Sequence, residues 1–210
     1  LAENPNALKV GSRLFLQNCA VCHGSNAKGA AGYPNLTDND WLYGGEAANI
    51  LTTLHNGRVG GMTAWRDQIG EDGVRAVSEY VLSISGNQPG YELDKAKVTQ
   101  GEAIFNEPTN CVLCHGPDAK GMTSTGAPNL TDKIWLYGGD RETIRETVRY
   151  GRAGVMPEWE TKLGNERIML LAAYVYSLSD RSAQPAKAKT VSAPAPQAAT
   201  TATAETTAAN

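Results

Sequence analysis

The chain has 210 residues, room for one large domain or two small ones, and its composition is that of a globular protein with moderate hydrophobicity and only two phenylalanines. A net charge of −3 leaves no basic footprint and excludes nucleic acid as an expected partner. The sequence shows neither a long apolar run nor a charged start followed by an apolar core, so it predicts a soluble chain, either a mature product or a soluble piece of a membrane-anchored parent.

In chain order, Leu8 to Asn18 reads as a helix with Leu8, Gly11, Leu14 and Phe15 on one side. It runs into Cys19-Ala20-Val21-Cys22-His23. A middle helix carrying Ile50, Leu51 and Leu54 follows a Gly-Gly pair, and a last helix lines up Val74, Val77, Val81 and Ile84. Residues 86 to 96 read as a short linker. The pattern then repeats. Gly101, Ile104 and Phe105 precede Cys111-Val112-Leu113-Cys114-His115, Ile144 and Val148 mark a middle helix with Asp140 as its N-cap, and Ile168, Leu171, Ala172, Val175 and Leu178 mark the last one. Little reads as strand. From Ser182 onward the composition turns to Ala, Thr, Pro, Ser, Gln and Lys, too poor in apolar side chains to offset ordering entropy, so a disordered tail or tether is expected over 182–210.

The two halves are internal repeats. Pro34-Asn35-Leu36-Thr37-Asp38 returns as Pro128-Asn129-Leu130-Thr131-Asp132, and Trp41-Leu42-Tyr43-Gly44-Gly45 as Trp135-Leu136-Tyr137-Gly138-Gly139. Pro34 and Pro128 are 94 positions apart, as are Tyr80 and Tyr174.

All four cysteines lie in the two Cys-x-x-Cys-His copies. Two disulfides, a Cys₄ zinc site or two covalent haem attachments would each use four cysteines. Only the third gives the histidine that follows both pairs a role: the thiols capture the two vinyl groups as thioethers and the adjacent imidazole takes an axial iron position. The reading is therefore two haem c groups, on Cys19, Cys22, His23 and on Cys111, Cys114, His115. Attachment of this kind implies export. A thioether is the expected sixth ligand. Met62 and Met156 occupy equivalent places, each four residues after an arginine and three before a tryptophan, so each is nominated for the haem of its own repeat. Met156 is stiffened by Pro157, whereas Met62 is followed by Thr63. Met122 has no counterpart, and Met169 falls in the apolar last helix and is assigned to the core. His55, whose equivalent is Arg149, is not expected to ligate. Trp41, Trp135, Arg58 and Arg152 are candidates for the haem propionates. No Ser/His/Asp set or phosphate-cradling loop is present, so no catalytic residues are nominated.

These elements predict an all-α protein of two tandem class I cytochrome c-like domains, residues 1–88 and 89–181, each wrapped around one covalently attached haem. The Pro-Asn-Leu-Thr-Asp-x-x-Trp-Leu-Tyr-Gly-Gly stretch, Gly-Arg-x-Gly-x-Met-x-x-Trp and the ending Tyr-Val-x-Ser-Ile/Leu-Ser resemble the CcoP (FixP) subunit of cbb3-type cytochrome c oxidases, over about residues 7 to 179. Thr63 departs from the usual Met-Pro. The resemblance implies electron relay from a soluble donor cytochrome c, through a monohaem subunit, to the oxygen-reducing haem–copper subunit. It also implies a periplasmic location, with the parent tethered to the bacterial inner membrane by a helix absent from this chain. The chain is then the electron-input part of an oxidase rather than an enzyme by itself. A free periplasmic carrier of the cytochrome c4 type and a dihaem peroxidase are the alternatives. Equivalent methionines in both repeats count against the peroxidase, which needs an open iron.

Overall fold

The computed structural model of the chain describes residues 1–86, 90 and 92–179. The 88/89 boundary and the tail from 182 lie outside the described residues. Helix α1 (Pro5–Asn18) begins where the Asn4 side chain accepts from the N–H groups of Asn6 and Ala7, at 3.0 and 3.1 Å, with Pro5 pre-set for the first turn. It continues into the short α2 (Ala20–His23). After a long loop come α3 (Ala47–Asn56), strand β1 (Arg58–Met62) and α4 (Arg66–Ile84), which bends sharply at Gly70. The second repeat follows the same plan: α5 (Lys95–Phe105), α6 (Val112–His115), α7 (Arg141–Tyr150), β2 (Arg152–Met156), α8 (Glu160–Leu163) and α9 (Asn165–Ser177). Asp140 caps α7 as expected, accepting from Glu142 and Thr143 N–H. Gly164 separates α8 from α9 at the position equivalent to the bend in α4.

Two cores form, and each draws on both repeats. One joins Phe15, Cys19, Ile50 and Leu54 of the first repeat to Ile168, Leu171, Ala172 and Val175 of the second. The other joins Val74, Val77, Val81 and Leu82 of the first to Phe105, Cys111, Ile144 and Val148 of the second. The last helices are core, as their periodicity predicts, but each completes the other repeat. Full burial of Phe15, Ile168 and Leu171 contributes roughly 1.5–3 kcal/mol apiece. Helices α1 and α9 cross closely at Gly11, where an added Cβ would strike the Leu170 carbonyl and lie 2.6 Å from Tyr174 Cβ. Gly101 serves the crossing of α5 on α4, against the Ala76 carbonyl and Tyr80. Met169 corrects the core assignment: it is 43% exposed on α9.

The exchange takes place in β1 and β2, an antiparallel ribbon unforeseen in the sequence. Its register pairs Arg58 with Met156, Gly60 with Gly154 and Met62 with Arg152. Because equivalent residues sit 94 apart, this is a self-complementary pairing about a pseudo-two-fold through Gly60 and Gly154. The flanking bonds obey it: Trp65 N–H donates to Val148 O at 3.0 Å, and Trp159 N–H to Leu54 O at 2.9 Å. Gly57 and Gly151 lead into the strands with φ of 68° and 70°, a conformation that favours glycine. We call the unit containing Cys19 the outer lobe and that containing Cys111 the inner lobe.

Candidate functional site

Each Cys-x-x-Cys-His lies on a single turn between a helix that ends in the core and a left-handed glycine, Gly24 or Gly116. The turn buries Cys19, Cys111 and both histidines, while Cys22 is half-buried and Cys114 exposed. Burial pushes the Cys19 and Cys111 thiols up to about 11, with the second cysteine of each motif adding to the effect. All four cysteines are free of disulfides. A Cys₄ zinc site would need the two motifs to converge, yet they belong to different cores. Among the described residues no group of three or more His, Cys, Asp or Glu could hold a metal ion.

The histidines are held alike. His23 Nδ1 lies 3.0 Å from Pro34 O, and His115 Nδ1 3.1 Å from Pro128 O. A carbonyl only accepts, so Nδ1 carries the proton and Nε2 keeps its lone pair for a metal. Burial, opposed in part by this bond, holds both imidazoles below their ordinary pKa and therefore neutral. Sequence reasoning took the two Pro-Asn-Leu-Thr-Asp stretches as repeat markers and missed this role. The signal available was their fixed position after each histidine.

The structure keeps two of the three expected partners, tryptophan and arginine, with their own motif and exchanges the third. Trp41 packs on the outer core with Cys19, and Trp135 on the inner core with Cys111. Arg58 stays with the outer lobe: its guanidinium stacks 4.5 Å from the Tyr43 ring and its Nε donates to Thr53 Oγ1 at 2.9 Å. Arg152 repeats this in the inner lobe with Tyr137 and Thr147. The methionines cross over. Met156 packs on the core of Cys19, and Met62 on that of Cys111. The within-repeat pairing expected from the sequence is thus reversed, because the ribbon delivers each methionine to the opposite lobe. His55 faces Glu160, at 3.1 Å.

Haem c fits these residues. Trp135 Nε1 is buried with no hydrogen-bond partner among the described residues, the state in which a carboxylate such as a haem propionate would satisfy it. Each lobe also supplies a neutral imidazole with Nε2 available and a thioether packed on the same core.

Comparison with known proteins agrees with this chemistry. Residues 6–81 and 96–175 match the family model for cytochrome c oxidase, cbb3-type, subunit III. The chain is 45% identical over 186 residues to the cbb3-type cytochrome c oxidase subunit CcoP of Rubrivivax gelatinosus, covering 87% of this chain and 58% of that protein. It is 44% identical over 194 residues to CcoP of Cereibacter sphaeroides (85% and 64%), and 47% identical over 180 residues to the FixP subunit of Bradyrhizobium sp. strain ORS 278 (80% and 60%). The matches therefore span about three-fifths of these relatives' length. No helix among the described residues is long and apolar enough to cross a membrane. With paired Cys-x-x-Cys-His turns, helix-rich lobes and a family match in both repeats, the chain belongs to the cbb3-type cytochrome c oxidase subunit III family.

Proposed function

We propose that the chain carries two haem c groups in series and relays electrons from a soluble donor cytochrome, in the periplasm, toward the oxygen-reducing core of a cbb3-type oxidase. The observation that carries this reading is the doubled arrangement of a buried histidine, oriented by a proline carbonyl, with a methionine packed on the same core. Bound haem c supplies a one-electron ferric/ferrous couple. The chain's own residues anchor, orient and insulate it. Cys19 and Cys22, or Cys111 and Cys114, would form the thioether links, and His23 or His115 would offer Nε2 to the iron. Met156 would complete the outer site and Met62 the inner site. A soft thioether favours the ferrous state and raises the potential. Trp41, Trp135, Arg58 and Arg152 would meet the propionates, Trp135 through its free indole N–H. Phe105, whose ring centroid lies 6.4 Å from that of His115, helps keep water from the inner site.

The partners in this reading are the monohaem and haem–copper subunits, reached by brief docking over small surfaces. An optical redox titration is expected to show two one-electron steps and no carbon monoxide binding at either reduced iron. One step, or binding at an unmodified iron, would overturn the pair of six-coordinate sites.

A further inference from the structure

We propose that Glu79, Arg141 and Arg145 determine which methionine-bearing segment closes which lobe. Glu79, on α4 of the first repeat, is 2% exposed. Its Oε1 lies 2.7 Å from Arg141 Nε and 3.5 Å from Arg145 Nη2, both on α7 of the second repeat. Oε2 accepts from Arg141 Nη2 at 2.9 Å and from the Asp94 N–H at 3.3 Å, and Arg141 Nη2 also lies 3.3 Å from Glu92 O. Among the described residues, one buried carboxylate of the first repeat is thus held by the end of the linker and by the second repeat.

The equivalent positions in the outer lobe carry no charge: Glu79 corresponds to Ala173, Arg141 to Ala47 and Arg145 to Leu51. Crossed packing therefore sets carboxylate on guanidinium in one lobe and apolar on apolar in the other. Packing within each repeat would turn Glu79 toward Ala47 and Leu51, and turn Arg141 and Arg145 toward Ala173. Breaking a buried ion pair by removing its partner is strongly unfavourable, so the wrong arrangement is disfavoured by at least about a hundredfold. The next pair has the same sense. Arg149 holds Glu71 through Nη2 at 2.7 Å, and their equivalents are His55 and Asn165. Most of the core cannot make this choice, because the repeats offer similar apolar stripes to either partner. These three residues are positioning residues: they act on the site through α4, which follows Met62, and α7, which precedes Met156. The inference rests on the crossed packing alone and is independent of the redox reading.

The test cuts the intact holoprotein at a protease sequence inserted between Gly86 and Glu92, then measures mass by size exclusion with light scattering. Crossed halves stay together, since each lobe contains both; halves packed within themselves part on dilution. The otherwise unaltered protein is expected to remain together, as is Glu79→Asp, which keeps a carboxylate with two acceptor oxygens. Moving the carboxylate with Glu79→Ala and Ala173→Glu is expected to release the halves in most molecules. Giving the inner lobe the outer pattern, Glu79→Ala with Arg141→Ala and Arg145→Leu, is expected to raise the released share from below about 1% to tens of per cent. The triple variant decides the matter if the relocated carboxylate prevents folding. A folded triple variant whose halves stay wholly together would overturn the proposal and leave the network a stabilising role only. Release of the unaltered halves would overturn the crossed packing itself.

Discussion

The outer and inner lobes share a plan and a set of site residues but are fastened differently. In the inner lobe α4 meets α7 through Glu79 with Arg141 and Arg145, and through Glu71 with Arg149. In the outer lobe the corresponding places hold Ala173, Ala47, Leu51, Asn165 and His55, and the polar link is His55 to Glu160. One helix pairing is thus built once on apolar contact and once on charge. The site geometry survives the change: the His–Pro carbonyl distances differ by only 0.1 Å. The fasteners can vary because the sites are positioned by elements common to both lobes, the glycine-capped turn and the ribbon.

The sharpest way to break this comparison is to remove one methionine. Met156→Ala is expected to lower one potential by on the order of 0.1 V, within the roughly 0.8 V that axial ligation can span, and to open that iron to carbon monoxide. Adding Cys19→Ala and Cys22→Ala, which abolish attachment in the outer lobe, should remove the carbon monoxide-binding species. If that species persists, Met156 serves the inner site.

Glu79→Ala should cost about 3 kcal/mol, because it removes the buried carboxylate from Arg141 and leaves Arg145 paired with Glu142 alone. Calorimetry should show a fall of roughly 6–12 °C if the two lobes melt as one unit, and about twice that in the inner lobe's own transition if they melt separately. Gly101→Ala and Gly11→Ala test the crossings that the lobes share, and each should cost about 1–3 kcal/mol in denaturant titration. Equal costs would show that the crossings are equivalent where the fasteners are not.

The smallest effect concerns the loops beside the two sites. Asp40 is pushed up to about 6 by burial, with Asp132 and Asp38 adding repulsion. Its folded pKa lies above the unfolded value near 3.8, so the folded state holds the extra proton. The stability this gives is present below pH 4 and lost as pH rises to about 6. Asp40→Asn should therefore raise stability at pH 7 by less than about 1 kcal/mol, given the partial exposure of the group, and flatten the slope between pH 4 and 6. Denaturant midpoints at pH 4, 5 and 7 would show it; an unchanged slope assigns the titration elsewhere.

Much of the molecule was legible in its residues. The Asp140 cap and the apolar stripes of α4 and α9 are local, and local chemistry decides them. Cysteine, histidine and methionine spacing nominated the candidate site residues by the same means. The crossing was hidden because duplication makes Val77 and Leu171 equally acceptable to either first helix. Periodicity shows that a stripe is buried, not against what. The ribbon was hidden for a related reason: Arg-Val-Gly-Gly-Met and Arg-Ala-Gly-Val-Met lack alternation, and their strand character comes from pairing with each other. Only the charges break the symmetry. A carboxylate on the last helix of one repeat, answered by arginines on the middle helix of the other, was the readable trace.

The ribbon also imposes a timetable on biosynthesis. The inner lobe uses residues 62 to 152, one continuous stretch, whereas the outer lobe joins the two ends of the described chain around it. As the polypeptide emerges N-terminus first, Cys19 and Cys22 are available earliest, yet Met156 and α9 arrive last. The inner lobe can close while the first-made turn still waits, open on one side, for nearly the whole described chain to appear. Order of synthesis and order of completion are therefore opposite, and of the two turns the outer one stays open for longer.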